Sequence, residues 1–434
     1  MSIGIQLLLI ALSVGGLLIA MACVHALAQR FSWPAELQRK CVHITTGLYA
    51  LSLPLTFGEA WPVLLLCAIS VLVMGLIRLP AFAKSGIGST IHGVARKSYG
   101  EILLAVSVGF LFFRSTGNPV LFVLPVLVLT FSDAAAALTG VRYGRRLFAV
   151  EEGTKSLEGV VMFFLLTFII AMITLLLMTE VPKHNVILLS LIVAAFGAQL
   201  EADSWRGFDN LFVPVGLHLF LQNNLDMPPL SLLGGAMLFV GIAAGLQLAA
   251  PSLGLTHHAA RGYGVLAFLI LSVTAPHNAV LPLAAFVAFL ILRRAEPEAS
   301  DYPELDFLAA IAGTAVLWLF LGEWSGNNAI NLYNLTFAGV ATIFATLNLR
   351  GRQRLVAPMA AVGLGITVYS LQWVNASDSR WMPAFAVMIT VSLALCVVVP
   401  WLRPHLFETR RAAKAFAIAL AMPLLVFASK GWMT

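Results

Sequence analysis

The side chains best suited to chemistry fall in four short clusters in the first half of the chain. Glu36, Arg39, Lys40 and His43 open one apolar run. Arg39 and Lys40 precede His43 by four and three positions, so all three share one face if the run is helical. A positively charged flank explains the two cations but gives no reason for the histidine. Ser98-Tyr99-Gly100-Glu101 opens a second run, with Glu101 at its boundary. There a carboxylate either complements a helix dipole or serves the reaction. The third cluster begins with Asp133, which ends the apolar run VLFVLPVLVLTFS and precedes four alanines, at the edge of a span. It continues with Glu152-Gly153-Thr154-Lys155-Ser156-Leu157-Glu158-Gly159. In this stretch the glycine permits unusual backbone angles, two hydroxyls and a lysine suit phosphate, and Glu152 and Glu158 can ligate magnesium or orient Lys155. The spacing is not that of a P-loop. The fourth cluster is Glu201, Asp203, Ser204, Asp209 and Asn210, with Pro214 beyond. Two loops of carboxylates and one lysine are the parts needed to hold a magnesium-bound triphosphate.

These clusters interrupt a very apolar chain. Of 434 residues 60% are hydrophobic and 11% charged, and mean hydropathy is +0.93. Repeated apolar runs of spanning length, without the alternation of a barrel, predict an all-α fold: a polytopic integral membrane helical bundle. We place fourteen to sixteen transmembrane segments, with centres near residues 13, 49, 70, 107, 127, 169, 193, 216, 240, 269, 286, 313, 339, 365, 391 and 420. Those near 49, 107 and 216 are short. Twenty-two Lys and Arg fall in alternate loops and only four in the others. That asymmetry puts the basic loops, and all four clusters, on the cytoplasmic side of a cell (inner) membrane, with both termini outside. The net charge of +6 then belongs to loops and not to a nucleic-acid surface, so no nucleic-acid partner is expected. The four scattered cysteines have no metal spacing and read as structural thiols.

Loop character changes near residue 226. Before it the basic loops also carry carboxylates, glycines and hydroxyls; after it they are mostly arginine clusters. We expect one membrane domain over 1–225, which holds all four clusters, and an additional helical membrane domain over 226–434. The mixed-charge stretch from Arg293 to Asp306 reads as a solvated linker, and His218, His257, His258 and His277 as loop or interface residues. A transporter would share the many spans, but its functional charges would sit near the midplane and not at one interface.

The ordered set Arg39-Lys40 with His43, Ser98-Tyr99-Gly100-Glu101, Ser132-Asp133 with Ala136 and Gly140, Gly153-Thr154-Lys155-Ser156 with Glu158-Gly159, and Asp209-Asn210 with Pro214 resembles the dolichol kinase / phytol kinase family of polytopic, CTP-dependent lipid kinases. The resemblance covers about residues 36 to 220 and implies that the domain over 1–225 is lipid (prenol) kinase-like. It implies phosphoryl transfer from CTP to a lipid alcohol in the bilayer: phytol, dolichol, another prenol or diacylglycerol. On this reading Arg39, Lys40, Gly153, Thr154, Lys155, Ser156, Glu158 and Gly159 bind nucleotide. Asp133, Glu158 and Asp209 hold Mg2+ or another divalent cation. Asp133, Lys155, Glu101 and His43 carry the catalysis, Lys40 and His43 by neutralising transition-state charge and Asp133 or Glu101 by placing the alcohol or taking its proton. A phosphatidate cytidylyltransferase would also use CTP, but the longer metal-binding signature of those enzymes is missing from the sequence.

Overall fold

A computed structural model describes residues 1–77, 99–115, 117–150, 153–296, 298, 300–349 and 355–430. Ser98, Glu152 and the basic residues 78, 84, 96, 97, 350, 352 and 354 lie outside the described residues. Each of the sixteen expected centres falls within a helix. Among the described residues, eleven helices are long and apolar enough to cross a membrane. The helices at the other five centres are shorter or more polar. The chain divides into two compact units, Met1–Gly241 and Ile242–Thr434.

The first unit contains α1 (Ile3–Arg30), α2 (Ala35–Thr56), α3 (Ala60–Ile77), α4 (Gly100–Arg114), α5 (Val120–Leu127), α6 (Asp133–Tyr143), α7 (Leu157–Met178), α8 (Lys183–Ala202) and α9 (Asp209–Asn224). Prolines at 34, 119 and 182 mark helix starts, where a missing N–H costs nothing. α5 and α6 form one broken rod joined by a π-turn, Val128–Ser132. α7 and α8 pack as an antiparallel pair, with Phe163 against Gly197. Between α6 and α7, where the sequence suggests only a loop, lies a small antiparallel hairpin: β1 (Leu147–Val150) and β2 (Gly153–Ser156), in register Leu147↔Ser156 to Val150↔Gly153. Gly153, at φ +130°, takes a backbone conformation that side chains resist.

After α10 (Pro229–Leu253), α11 (His257–Val273), α12 (Val280–Ala295) and α13 (Pro303–Ser325) comes the central helix of the second unit, α14 (Ile330–Asn348), with 83% of its spanning stretch buried. It packs against α12, α15 (Ala357–Val374), α16 (Phe385–Leu402) and α17 (Arg411–Lys430). A buried amide network occupies one end of α14. Asn375 accepts from His277 and Asn278 at 2.8 and 2.9 Å and donates to Asn278 and Asn331. His277 is thus part of a structural network. The stretch from Arg293 to Asp306 is more than a solvated linker. Glu304 is buried and pairs with Arg293 at 2.5 Å, and Glu298 accepts the Arg411 backbone N–H at 2.6 Å. Burial pushes the Glu298 carboxyl up, opposed by that N–H.

Candidate active site

The π-turn organises the site. In an unbroken α-helix the Asp133 N–H would bond the Leu129 carbonyl four residues back. Here it bonds the Val128 carbonyl, five residues back. The Leu129 carbonyl is left for another donor, and His43 of α2 takes it, with Nε2 2.8 Å away. Because the acceptor is a carbonyl oxygen, Nε2 carries the proton, and Nδ1 of the neutral ring keeps its lone pair. α2 approaches the turn very closely at Gly47. A Cβ there would lie 2.1 Å from Thr130 Oγ1, so no larger residue fits without displacement.

One helical turn before His43, Lys40 sets its ammonium 2.6 Å from Asp133 Oδ2, with both side chains buried. His43 Nε2 lies 3.4 Å from the same oxygen. Lys40 and His43 therefore converge on Oδ2, and Oδ1 is the oxygen that neither of them holds. A buried pair of this kind is costly to desolvate, and removing one partner strands the other charge. The face expected from the spacing of Arg39, Lys40 and His43 is real for the last two. Arg39 turns instead to Glu36 on its own helix, through Nε–Oε2 and Nη2–Oε1 bonds of 3.0 and 2.7 Å. Asp209, in the first turn of α9, is near enough for its charge to act on Arg39 and His43. Glu101, half-buried, opens α4. That end is tied to the α9 end by Asn210 donating to Gly100 O at 2.9 Å and Tyr99 N–H donating to Arg206 O at 2.8 Å.

Asp133 sits deeper than the sequence suggests. The four alanines continue the helix, so Asp133 stands ten residues, about 15 Å, before its end at Tyr143. It is 3% exposed and is not at an edge.

A second cluster forms on the hairpin. Lys155 bonds Glu201 at the end of α8, through Oε1 at 2.9 Å and through the Glu201 main-chain carbonyl. The two loops that the sequence assigned to one triphosphate site thus do meet. Glu201 stands in the fourth cluster, but the sequence offers Glu152 and Glu158, and not Glu201, as the groups that orient Lys155. Glu158 faces the Arg146 N–H, with both carboxylate oxygens 3.2 and 3.3 Å away. Gly153 and Thr154 are exposed. Ser156 is committed to structure: its hydroxyl caps α7 through the Gly159 N–H at 3.1 Å. Gly140 and Gly144 crowd that hydroxyl, and a Cβ on Gly159 would fall 2.9 Å from Ala136 O. Gly159 therefore serves the tight crossing of α6 and α7. Because Ser156 abuts Gly140, the hairpin meets α6 two turns, about 10 Å, beyond Asp133.

Among the described residues no three His, Cys, Asp or Glu side chains are gathered to hold a metal, so Asp133, Glu158 and Asp209 do not form a preassembled ligand set. Magnesium carried by a nucleotide makes a smaller demand, since one or two carboxylates suffice when phosphates and water complete its shell. Asp209 and the Oδ1 of Asp133 fit that requirement. Glu158 would first have to release the Arg146 N–H.

Over 192 residues, 42% of this chain and 77% of the relative, the sequence is 35% identical to phytol kinase of Synechocystis sp. (strain ATCC 27184 / PCC 6803 / Kazusa). The chain belongs to the phytol kinase family. As a family member it is a lipid-alcohol kinase, a phosphotransferase, as the ordered motifs led us to expect. No protein-family profile matches the chain, and no solved structure matches it.

Proposed function

We propose that this protein phosphorylates a prenol, phytol or a longer polyprenol, with CTP as donor, at the cytoplasmic face of the cell membrane. Residues 1–225 perform the reaction, and residues 226–434 form an additional helical membrane domain. The observation that carries this reading is the buried Lys40–Asp133–His43 centre, built on the π-turn of a helix that also meets the Lys155 hairpin. The alcohol oxygen attacks the terminal phosphorus, the bridge oxygen leaves with the nucleoside diphosphate, and the hydroxyl proton goes to a base. Asp133 Oδ1 accepts the hydroxyl hydrogen bond, so placing the oxygen, and takes that proton as the bond to phosphorus forms, while His43, beside the other carboxylate oxygen, helps hold the group in place. Lys40 keeps the Asp133 carboxylate charged and oriented. Lys155 and Thr154 meet the phosphates, with Arg39 at the mouth of the site. A divalent cation bound with the nucleotide would offset phosphate charge, held by Asp209 and Asp133. In phosphoryl transfer most of the rate comes from such placement and charge compensation. A lipid alcohol arrives laterally from the bilayer while the nucleotide comes from water, which fits a reacting centre buried below a polar hairpin.

Purified protein given each labelled nucleoside triphosphate with phytol, farnesol, polyprenol or diacylglycerol tests the proposal. A prenyl monophosphate formed best with CTP is the expected product. Lys155→Ala is expected to raise the KM for nucleotide about tenfold or more, the effect of losing a charge-assisted phosphate contact. A lipid product containing CMP would replace the kinase reading with cytidylyltransfer. Failure to phosphorylate any acceptor would end it.

A further inference from the structure

The rod that carries Asp133 is broken twice, and each break is closed by a histidine from another helix. The second break is the π-turn, whose spare Leu129 carbonyl goes to His43. The first is Pro125. A proline has no N–H, so the carbonyl four residues earlier, that of Leu121, loses its helical donor. His218 of α9 replaces it, with Nδ1 2.9 Å from Leu121 O. The acceptor is a carbonyl, so Nδ1 carries the proton and Nε2 holds a lone pair. Nε2 is buried without a hydrogen-bond partner, and the side chain is fully buried. An imidazole with one stranded nitrogen is an expensive way to fill a core, since a phenyl ring would fill it without the penalty. The bond to Leu121 is the property that a phenyl ring lacks. Phe110 of α4 lies edge-on to the imidazole, with ring centroids 5.9 Å apart. His218 thus sits on the helix that carries Asp209 and touches the two rods that carry Glu101 and Asp133.

We propose that His218 is a positioning residue of the kinase. By holding Leu121 it fixes where the broken rod enters the π-turn, and so where Asp133 and His43 stand relative to Asp209. The proposal rests on the kinase reading of the same site.

Four variants test it: His218→Phe, which removes the donor; His218→Gln, which keeps one; Pro125→Ala, which returns a main-chain N–H to Leu121; and Pro125→Ala with His218→Phe. In the lipid phosphorylation assay, His218→Phe lowers kcat about tenfold or more, while the nucleotide KM moves less than about threefold. His218→Gln stays within about threefold of wild type, and His218→Phe costs less than about threefold when added to Pro125→Ala. Equal losses in His218→Gln and His218→Phe at equal folded fraction overturn the proposal. So does an undiminished cost of His218→Phe beside Pro125→Ala. If His218→Phe alone does not fold, the glutamine variant and the double variant decide. The 15N spectrum of histidine-labelled protein supplies a readout independent of activity. His218 is expected as the Nδ1–H tautomer, and an Nε2–H tautomer breaks the clamp. If wild type phosphorylates nothing, the kinase reading falls by itself and the spectrum still decides the clamp.

Discussion

A lysine and an aspartate buried against each other make each charge depend on its partner. Asp133 Oδ2 accepts Lys40 at 2.6 Å in a setting where neither side chain reaches water. Asp133→Leu alone is expected to cost about 3–5 kcal/mol, because the Lys40 ammonium is then stranded. Asp133→Leu with Lys40→Met replaces the pair by apolar side chains of similar volume, and most of that loss should be recovered. Activity should not return, since the double variant lacks the carboxylate proposed to place the hydroxyl. Thermal unfolding in detergent beside the phosphorylation assay separates the two effects. More than about a tenth of wild-type turnover in the folded double variant would reduce the pair to a packing device. His43 and Asp133 were legible in the sequence as ionisable groups that an apolar flank has no use for, whereas Lys40 could be read as part of a positively charged flank. That Lys40 and Asp133 bond across 93 residues was not, because nothing local encodes which distant helix meets which. The depth of Asp133 was misread for a simpler reason. Four alanines after an apolar run look like the end of a span, yet alanine is the best helix former and carries the rod on to Tyr143.

At the scale of elements, the rod Val120–Tyr143 matters because it is not a regular helix. All sixteen apolar centres were readable from composition, since spanning length and hydropathy are local properties. The π-turn was not readable. Val128-Leu129-Thr130-Phe131-Ser132 has no unusual helix propensity, and the added residue in the turn answers to neighbouring helices. Pro125 was the one visible hint of a broken ladder. The hairpin escaped for a related reason: four-residue strands are too short for alternation to declare itself. Gly47 tests how closely α2 must approach the turn. Gly47→Ala would set a Cβ 2.1 Å from Thr130 Oγ1 and 2.7 Å from its Cγ2, so α2 must shift outward and carry His43 and Lys40 with it. We expect a loss of about 1–3 kcal/mol in stability, the usual cost of overpacking, together with a larger fall in turnover than in nucleotide affinity. Adding Thr130→Ala removes the two nearest atoms but leaves the Thr130 Cβ position 2.8 Å away, so recovery should be partial. Normal activity in Gly47→Ala would show that the spacing of α2 from the turn is not critical.

At the scale of the whole molecule, the two units distribute buried polarity differently. In Met1–Gly241 the buried Lys40–Asp133 pair is charged and lies at the proposed reacting centre. In Ile242–Thr434 the largest buried network is neutral, built from Asn278, Asn331, Asn334 and Asn375 at one end of α14. Neutral amides specify one packing without the desolvation cost of ions, provided each group is bonded. Asn375 is the centre of this network, with two bonds accepted and two donated, whereas Asn334 makes one bond and leaves its Oδ1 without a partner. The energetic consequence follows from what each substitution strands. Asn375→Ala leaves the Asn331 carbonyl and an Asn278 N–H unmatched, at about 1–3 kcal/mol for each buried group, and also removes the acceptor of half-buried His277. Asn334→Ala removes a group that is already half unsatisfied, so it should cost clearly less. Both variants should lower the unfolding temperature in the order Asn375→Ala more than Asn334→Ala. Phosphorylation by the folded fraction should stay within about twofold of wild type, as expected for sites with no shared partners. If Asn375→Ala instead abolishes turnover while the protein stays folded, the assignment of the reaction to residues 1–225 alone is wrong, and the second unit takes part in catalysis.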